Sequence, residues 1–228
     1  MLAAAGLLAL AVPFSLLALL VARGWSPLQN ADFSLESSVH RAALAAPWLV
    51  ELARGFTFLG NTATRLALGI AVVVVLLVRR AWRLSLFLSA TTLGGGGLDT
   101  LVKTIVDRTR PVLPDPIATA GGASFPSGHA MGAMVLYGGL LLVLLSLLPR
   151  PAHGWAWAVA GLVVLGVGSS RVVLGVHYPS DVVGGWVLGL AWLATATAVF
   201  NVFRAETGQR PVRPVSEGVA PEEASRLG

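Results

Sequence analysis

Leu2 to Ala22 reads LAAAGLLALAVPFSLLALLVA, 21 residues without a charge. As a helix rising 1.5 Å per residue it covers about 30 Å, the thickness of bilayer hydrocarbon. No Lys or Arg precedes the run, and it exceeds the apolar region of about 7 to 15 residues found in a signal peptide, so it reads as a membrane helix rather than a leader. Comparable apolar stretches follow at about Phe58 to Val78, Leu84 to Val102, Ala130 to Leu148, Trp155 to Ser169 and Val182 to Phe203. The expected fold class is all-α: a polytopic membrane protein whose six transmembrane helices form one bundle over residues 1–203. From Arg204 onward the chain is polar and rich in Pro and Glu, so residues 204–228 are expected to form a disordered cytoplasmic tail.

Composition supports this reading. Of 228 residues, 55% are hydrophobic and 12% charged, with a mean hydropathy of +0.77, which argues against a water-soluble globule. The formal charge of +5 comes mostly from arginines near segment ends, without a basic stripe interleaved with aromatics, so nucleic acid is not an expected partner. The absence of cysteine excludes disulfides and thiol catalysis. Orientation follows from Arg79, Arg80, Arg83, Arg150, Arg204 and Arg210, whose short loops and tail are expected on the cytoplasmic side. Six spans then place both termini in the cytoplasm and the loops Lys103 to His129 and Arg171 to Asp181 on the extracytoplasmic face of the plasma (inner) membrane. The sequence sets no oligomeric state.

Other segments carry weaker expectations. Ser34 to Leu52 reads as an amphipathic helix at the interface or as a connecting loop. Arg65 is expected to snorkel to the nearer surface. Gly94 to Gly97 suggests close helix packing. Trp25, Trp82, Trp155 and Trp186 read as interfacial anchors, and His40 and His153 as solvated histidines.

Three polar motifs interrupt the apolar pattern: Lys103-x6-Arg110-Pro111, Pro126-Ser127-Gly128-His129 and Ser170-Arg171-x5-His177-x3-Asp181. A charged side chain facing lipid costs roughly 2.5 to 3.5 kcal/mol, so ionisable groups at these helix ends point to function. Phosphoryl transfer needs cations on the non-bridging oxygens, a nucleophile and a proton for the leaving group. Lys103, Arg110 and Arg171 supply the first, the arginines through a planar fork and Lys103 as a point charge. Ser127, Gly128 and His129 open a helix whose free N–H groups can face an anion. A carboxylate at Asp181, four residues from His177, can hold one ring nitrogen and leave the other as a nucleophile, which frees His129 to act as the acid.

Together and in order, the three motifs resemble the complete signature of the type 2 phosphatidic acid phosphatase (PAP2) family. PSGH alone recurs by chance on the order of once in 10⁵ positions, and two further motifs in order remove coincidence. The resemblance implies that His177 attacks phosphorus to form a phosphohistidine, Asp181 orients it, and His129 protonates the leaving group and then activates water. Lys103, Arg110, Ser127, Gly128 and Arg171 match phosphate-holding positions, and the implied mechanism requires no metal and no cofactor. Soluble vanadate-binding haloperoxidases share the signature, but six apolar spans argue against that branch.

Two neighbours of the motifs are read as possible support. Asp99 precedes Lys103 by one helical turn and can pair with it; Arg108 can contact phosphate or pair with Asp107. The expected substrate is a lipid phosphate or pyrophosphate met at the membrane surface, with undecaprenyl pyrophosphate, phosphatidylglycerol phosphate, phosphatidate and diacylglycerol pyrophosphate as candidates and membrane lipids as surroundings. The alternatives are a lipid phosphotransferase using the same site and a non-enzymatic lipid-binding or transport protein, against which intact His129, His177 and Asp181 count.

Overall fold

Proline and glycine divide the first third of the chain more finely than hydropathy predicts. In the computed structural model, which describes the backbone of residues 2–226 and the side chains of residues 8–223, α1 (Leu2–Ala22) is followed by a sharp turn at Gly24. Residues 8–22 of α1 lie at 89° to α2 (Ser26–Ala45). Pro47, pre-set for a first helical turn and without an N–H to continue the previous one, opens α3 (Pro47–Gly60). A 47° break at Asn61 then leads into α4 (Thr62–Val78). The expected helix from Ser34 to Leu52 is therefore two helices, and the span expected from Phe58 begins at Thr62.

The remaining helices are α5 (Trp82–Val106), α6 (Gly128–Leu144), α7 (His153–Val173), α8 (Pro179–Glu206) and the single turn α9 (Pro214–Glu217), with no strand among the described residues. Central α6 packs against α5, α7 and α8. Its approach to α8 depends on two small residues one turn apart. A Cβ on Gly185 would lie 2.7 Å from the Ser127 carbonyl oxygen, and one on Gly189 would lie 2.9 Å from Met134 Cβ. The helices thus meet backbone to backbone, which draws the start of α8 against the start of α6. Leu84, Phe87, Leu88, Leu136 and Phe200 fill the other end of the bundle, with the Phe87 and Phe200 rings 5.3 Å apart.

Ile70, Val78, Leu93, Ile105, Leu162 and Val199 point outward, each at least 60% exposed, as side chains facing lipid do. Helix α8, and α7 with the short turn before it, are each long and apolar enough to cross a bilayer; the bent pairs α1–α2 and α3–α4 meet that requirement together. Helix α6 is 17 residues long, and α5 carries Asp99 and Lys103. Length and hydropathy therefore support two to four crossings where the sequence pattern suggests six.

Three further expectations change. His40 is 3% exposed and its Nε2 lies 2.9 Å from the Pro114 carbonyl oxygen, because Asp32, Glu36 and His40 share the inward face of α2. Trp186 donates to the Val164 carbonyl at 3.2 Å between α7 and α8 rather than anchoring at the surface. The tail, whose last two residues lie outside the described ones, folds back on the bundle. Val219 and Ala220 are buried, and the Glu223 carboxylate accepts from Arg83 N and Leu84 N at 3.2 and 3.1 Å. The first N–H groups of α5 lack intrahelical acceptors, and Glu223 satisfies two of them.

Candidate active site

The two motif-bearing loops and the helix ends beside them meet at one end of the bundle. Ser127 N donates to the Asp181 carbonyl at 2.9 Å, joining the start of α6 to the first turn of α8. Ser124 N donates to the Arg108 carbonyl at 2.7 Å, which closes the 107–127 loop over the same place. Within that frame sit Asp99 and Lys103 from α5, Arg108 and Arg110 from the loop, Gly128 and His129 from α6, Arg171 from α7, and His177 and Asp181 around the start of α8.

His177 is 2% exposed and is held from both ring nitrogens. Nδ1 lies 3.4 Å from Asp181 Oδ2 and 3.4 Å from Ser124 Oγ. Nε2 lies 2.9 Å from Arg110 Nη1. A guanidinium N–H can only donate, so Nε2 presents a lone pair and the proton of the neutral ring belongs on Nδ1, facing the carboxylate. Burial, reinforced by the nearby Arg110 and Arg171 charges and opposed by Asp181, pushes the imidazole down to about 4. His177 is therefore neutral near pH 7, with its lone pair directed at a cation.

Arg110 is fixed by peptide oxygens: Nε donates to Gly121 O and Gly122 O at 3.2 and 3.0 Å, Nη2 to Ala123 O at 3.2 Å and Nη1 to Val176 O at 2.8 Å. Arg171 donates to Thr57 Oγ1, while its buried Nε has no partner among the described residues. Lys103 Nζ donates to the Pro126 carbonyl and pairs with Asp99 Oδ1 at 3.1 Å. Ser127 caps α6, its Oγ accepting from Ala130 N at 3.5 Å. Gly128 passes close to the Asp99–Lys103 pair: a Cβ there would lie 3.0 Å from Asp99 Oδ2.

His129 Nε2 lies 3.1 Å from Asn61 Oδ1. With the amide oxygen as acceptor, Nε2 carries a proton. Asp99, by pairing with Lys103, limits where the ammonium can point. Asp99→Ala is expected to raise KM for a lipid phosphate about fivefold, as loss of a partly buried ion pair worth about 1 kcal/mol would do, with little change in kcat. Phosphate release against lipid concentration in mixed micelles measures this, and an unchanged KM removes the role.

Arg108 is the hub of a network wider than the sequence suggests. Nη1 donates to Asp181 Oδ1 and Ser180 Oγ at 2.7 Å each, and Nη2 to Asp32 Oδ2 at 2.8 Å. The guanidinium lies 4.2 Å from the Tyr178 ring centroid, in cation–π range. Asp32 also accepts from Ser180 N at 2.9 Å and from Ser180 Oγ at 2.5 Å. Arg108 is thus engaged by carboxylates rather than paired with Asp107 or open to phosphate. Asp181 Oδ2 accepts in addition from Tyr178 N at 2.9 Å and from Ser124 Oγ at 2.5 Å.

Asp32, Thr57, Asn61 and Ser124 were not legible as site residues. For Asp32 a signal existed: Asp32, Glu36 and His40 recur every four residues, one polar stripe on one helix face. Ser124 and Asn61 carry no such pattern.

Residues 83–205 match the PAP2 superfamily. The chain is 33% identical over 170 residues to phosphatidylglycerophosphatase B of Bacillus subtilis strain 168, covering 71% of this chain and 81% of that protein. It is 41% identical over 71 residues to the undecaprenyl-diphosphatase of Sulfolobus acidocaldarius, covering 31% of this chain and 30% of the other. Among solved structures, the transmembrane PAP2-type phosphatidylglycerolphosphate phosphatase from Bacillus subtilis superposes with a TM-score of 0.72 at 28% identity, covering 89% of this chain and 98% of that one. Motifs, fold and relatives agree: the chain belongs to the PAP2 superfamily and is an enzyme of the phosphoric-ester hydrolase type.

Proposed function

We propose that the protein hydrolyses a lipid phosphate or pyrophosphate through a phosphohistidine, at the extracytoplasmic face of the plasma (inner) membrane. The observation that carries this reading is the ring of His177, with Nδ1 toward Asp181 and the Nε2 lone pair toward Arg110. A phosphoryl group that recruits Arg110, Arg171, Lys103 and the first N–H groups of α6 sits where that lone pair points. The Nε2–P bond forms as the bridging P–O bond breaks, and the departing oxygen takes a proton from His129. His129, now neutral, removes a proton from water as the water oxygen attacks phosphorus. The N–P bond then breaks, which releases phosphate and restores His177.

In this reading α1 and α4 to α8 are the six crossings, and α2 and α3 cover the site end. Arg79, Arg80, Arg83, Arg150, Arg204 and Arg210 lie at the opposite end with the tail, which supports a cytoplasmic position for both termini. Because His177 must start neutral, kcat/KM is expected to be lost in acid. It rises as pH climbs through about 4, where His177 loses its proton. A rate unchanged from about pH 7 down to about pH 3, with chemistry rate-limiting, contradicts this role.

The test of function is phosphate release by the purified protein from undecaprenyl pyrophosphate, phosphatidylglycerol phosphate, phosphatidate and diacylglycerol pyrophosphate, with His177→Ala as blank. Release above the blank from at least one lipid is expected. No release from any of them overturns the reading.

A further inference from the structure

Arg65 lies within apolar α4, yet its guanidinium turns into the bundle instead of snorkelling outward. Nε donates to the Gly60 carbonyl at 2.9 Å. The head group lies against Gly132 of α6, where a Cβ would come within 1.4 Å of Nη1. Glycine at 132 is therefore what makes room for it. The same short segment holds His129: a Cβ on Gly60 would lie 2.8 Å from His129 Cδ2, and Asn61 Oδ1 meets His129 Nε2. Arg65 is within electrostatic range of both His129 and Asp99.

A cavity of about 120 Å³ opens beside this group, bordered by Arg65, Thr92, Asp99, Gly128, Met131 and Gly132. Asp99 is already paired with Lys103 at 3.1 Å. Arg65 donates to a peptide oxygen instead and makes no close ion pair among the described residues, so its charge borders the hollow with Asp99 as the nearby, already engaged carboxylate. Arg65, Leu66 and Thr92 also border a second hollow of about 170 Å³ between α4 and α5, otherwise walled by apolar side chains such as Ile70, Val73, Leu88 and Leu93. Ile70 and Leu93 are 60% and 71% exposed on the outer surface. Arg65 thus borders both the small cavity that Asp99 and the start of α6 enclose and an apolar groove that opens outward.

That position matters for the leaving group. The phosphoryl being transferred has its own cations in Lys103, Arg110 and Arg171, whereas a charge on the His129 side meets what departs. The geometry points to Arg65 as the residue that reads the leaving group, favouring lipids whose departing portion carries its own phosphate anion over those that depart as a neutral alcohol. This rests on the phosphatase reading above and narrows its substrate class. When the bridging bond breaks, its electron pair moves onto an oxygen of the lipid-borne phosphate, and a nearby guanidinium stabilises that added charge. With phosphatidate the departing diacylglycerol becomes a neutral alcohol once His129 has given its proton, and Arg65 has little to stabilise.

Diacylglycerol pyrophosphate and phosphatidate with identical acyl chains separate the two cases, because only the leaving group differs. Initial rates are measured on the purified full-length protein in mixed micelles for the wild type, Arg65→Gln and Arg65→Lys. The wild type is expected to favour the pyrophosphate, and Arg65→Gln to lower the ratio of the two kcat/KM values by about 10- to 100-fold, as loss of one preorganised charge contact does. Arg65→Lys, which keeps the charge, recovers part of that ratio. An unchanged ratio in Arg65→Gln, equal loss on both substrates, or a wild type that prefers phosphatidate overturns the inference while leaving the phosphatase reading intact. A wild type that releases no phosphate from either lipid, or from the wider panel, overturns both.

Discussion

His177→Ala is expected to lower phosphate release by on the order of 10⁴-fold, the scale seen when a member of a nucleophile–base constellation is removed. In the proposed mechanism the side chain supplies the atom that bonds to phosphorus, and no other described imidazole occupies its place: His129 faces Asn61. The variant should nevertheless fold. Asp181 keeps Arg108, Ser124 and the Tyr178 N–H, and Arg110 Nη1 keeps the Val176 carbonyl, so no buried charge is stranded. Two measurements check this. Phosphate release should fall to background at an unchanged thermal midpoint, and wild type incubated with a lipid labelled in its terminal phosphate and quenched in detergent at alkaline pH should retain label that later acid treatment removes, whereas the variant retains none. A variant with a tenth or more of wild-type activity would remove His177 as nucleophile.

Arg108→Ala should produce the largest loss of stability. Its guanidinium joins Asp32, 3% exposed, to Asp181, which is fully buried, and taking it away leaves two carboxylates in the interior without their counter-ion. Breaking a buried pair costs about 3 to 5 kcal/mol, which for a chain of this size lowers the thermal midpoint by roughly 10 °C. Activity should fall as well, because Asp181 loses the contact that fixes its Oδ1 and with it the angle at which Oδ2 meets His177. Arg108→Lys should recover little: one ammonium cannot bond Asp181, Ser180 and Asp32 at once as the planar fork does. Asp32→Asn keeps the shape and most of the Ser180 contacts, so it should be milder than Arg108→Ala in stability. Heat inactivation in detergent, read with phosphate release on the same samples, separates the two variants. Wild-type stability in Arg108→Ala would show that the network carries none of the proposed load.

This network marks where sequence reading stopped. Lys103, Arg110, Ser127, Gly128, His129, Arg171, His177 and Asp181 were legible because each sits in a motif whose residue spacing is itself the signal, and the Asp99–Lys103 pair because four residues on a helix are neighbours. Asp32 was not, since a polar stripe on an amphipathic helix looks the same whether it faces headgroups or catalytic loops. Which face turns inward depended on the sharp turn at Gly24 and on Arg108 waiting in a loop distant in the chain. An arginine within an apolar segment reads as snorkelling, because nothing local shows that Gly132 clears a place for Arg65 on another helix.

By itself, then, the sequence determined the all-helical class, the apolar segments and the three polar motifs whose residues meet at one end of the bundle, all set by local hydropathy and short-range spacing. Only the tertiary structure decided which neighbours tie those residues down, where α2 lies, how the tail docks and that Arg65 faces the site. Those outcomes turn on contacts between helices, and a contact between helices depends on both partners and on how closely their backbones can approach.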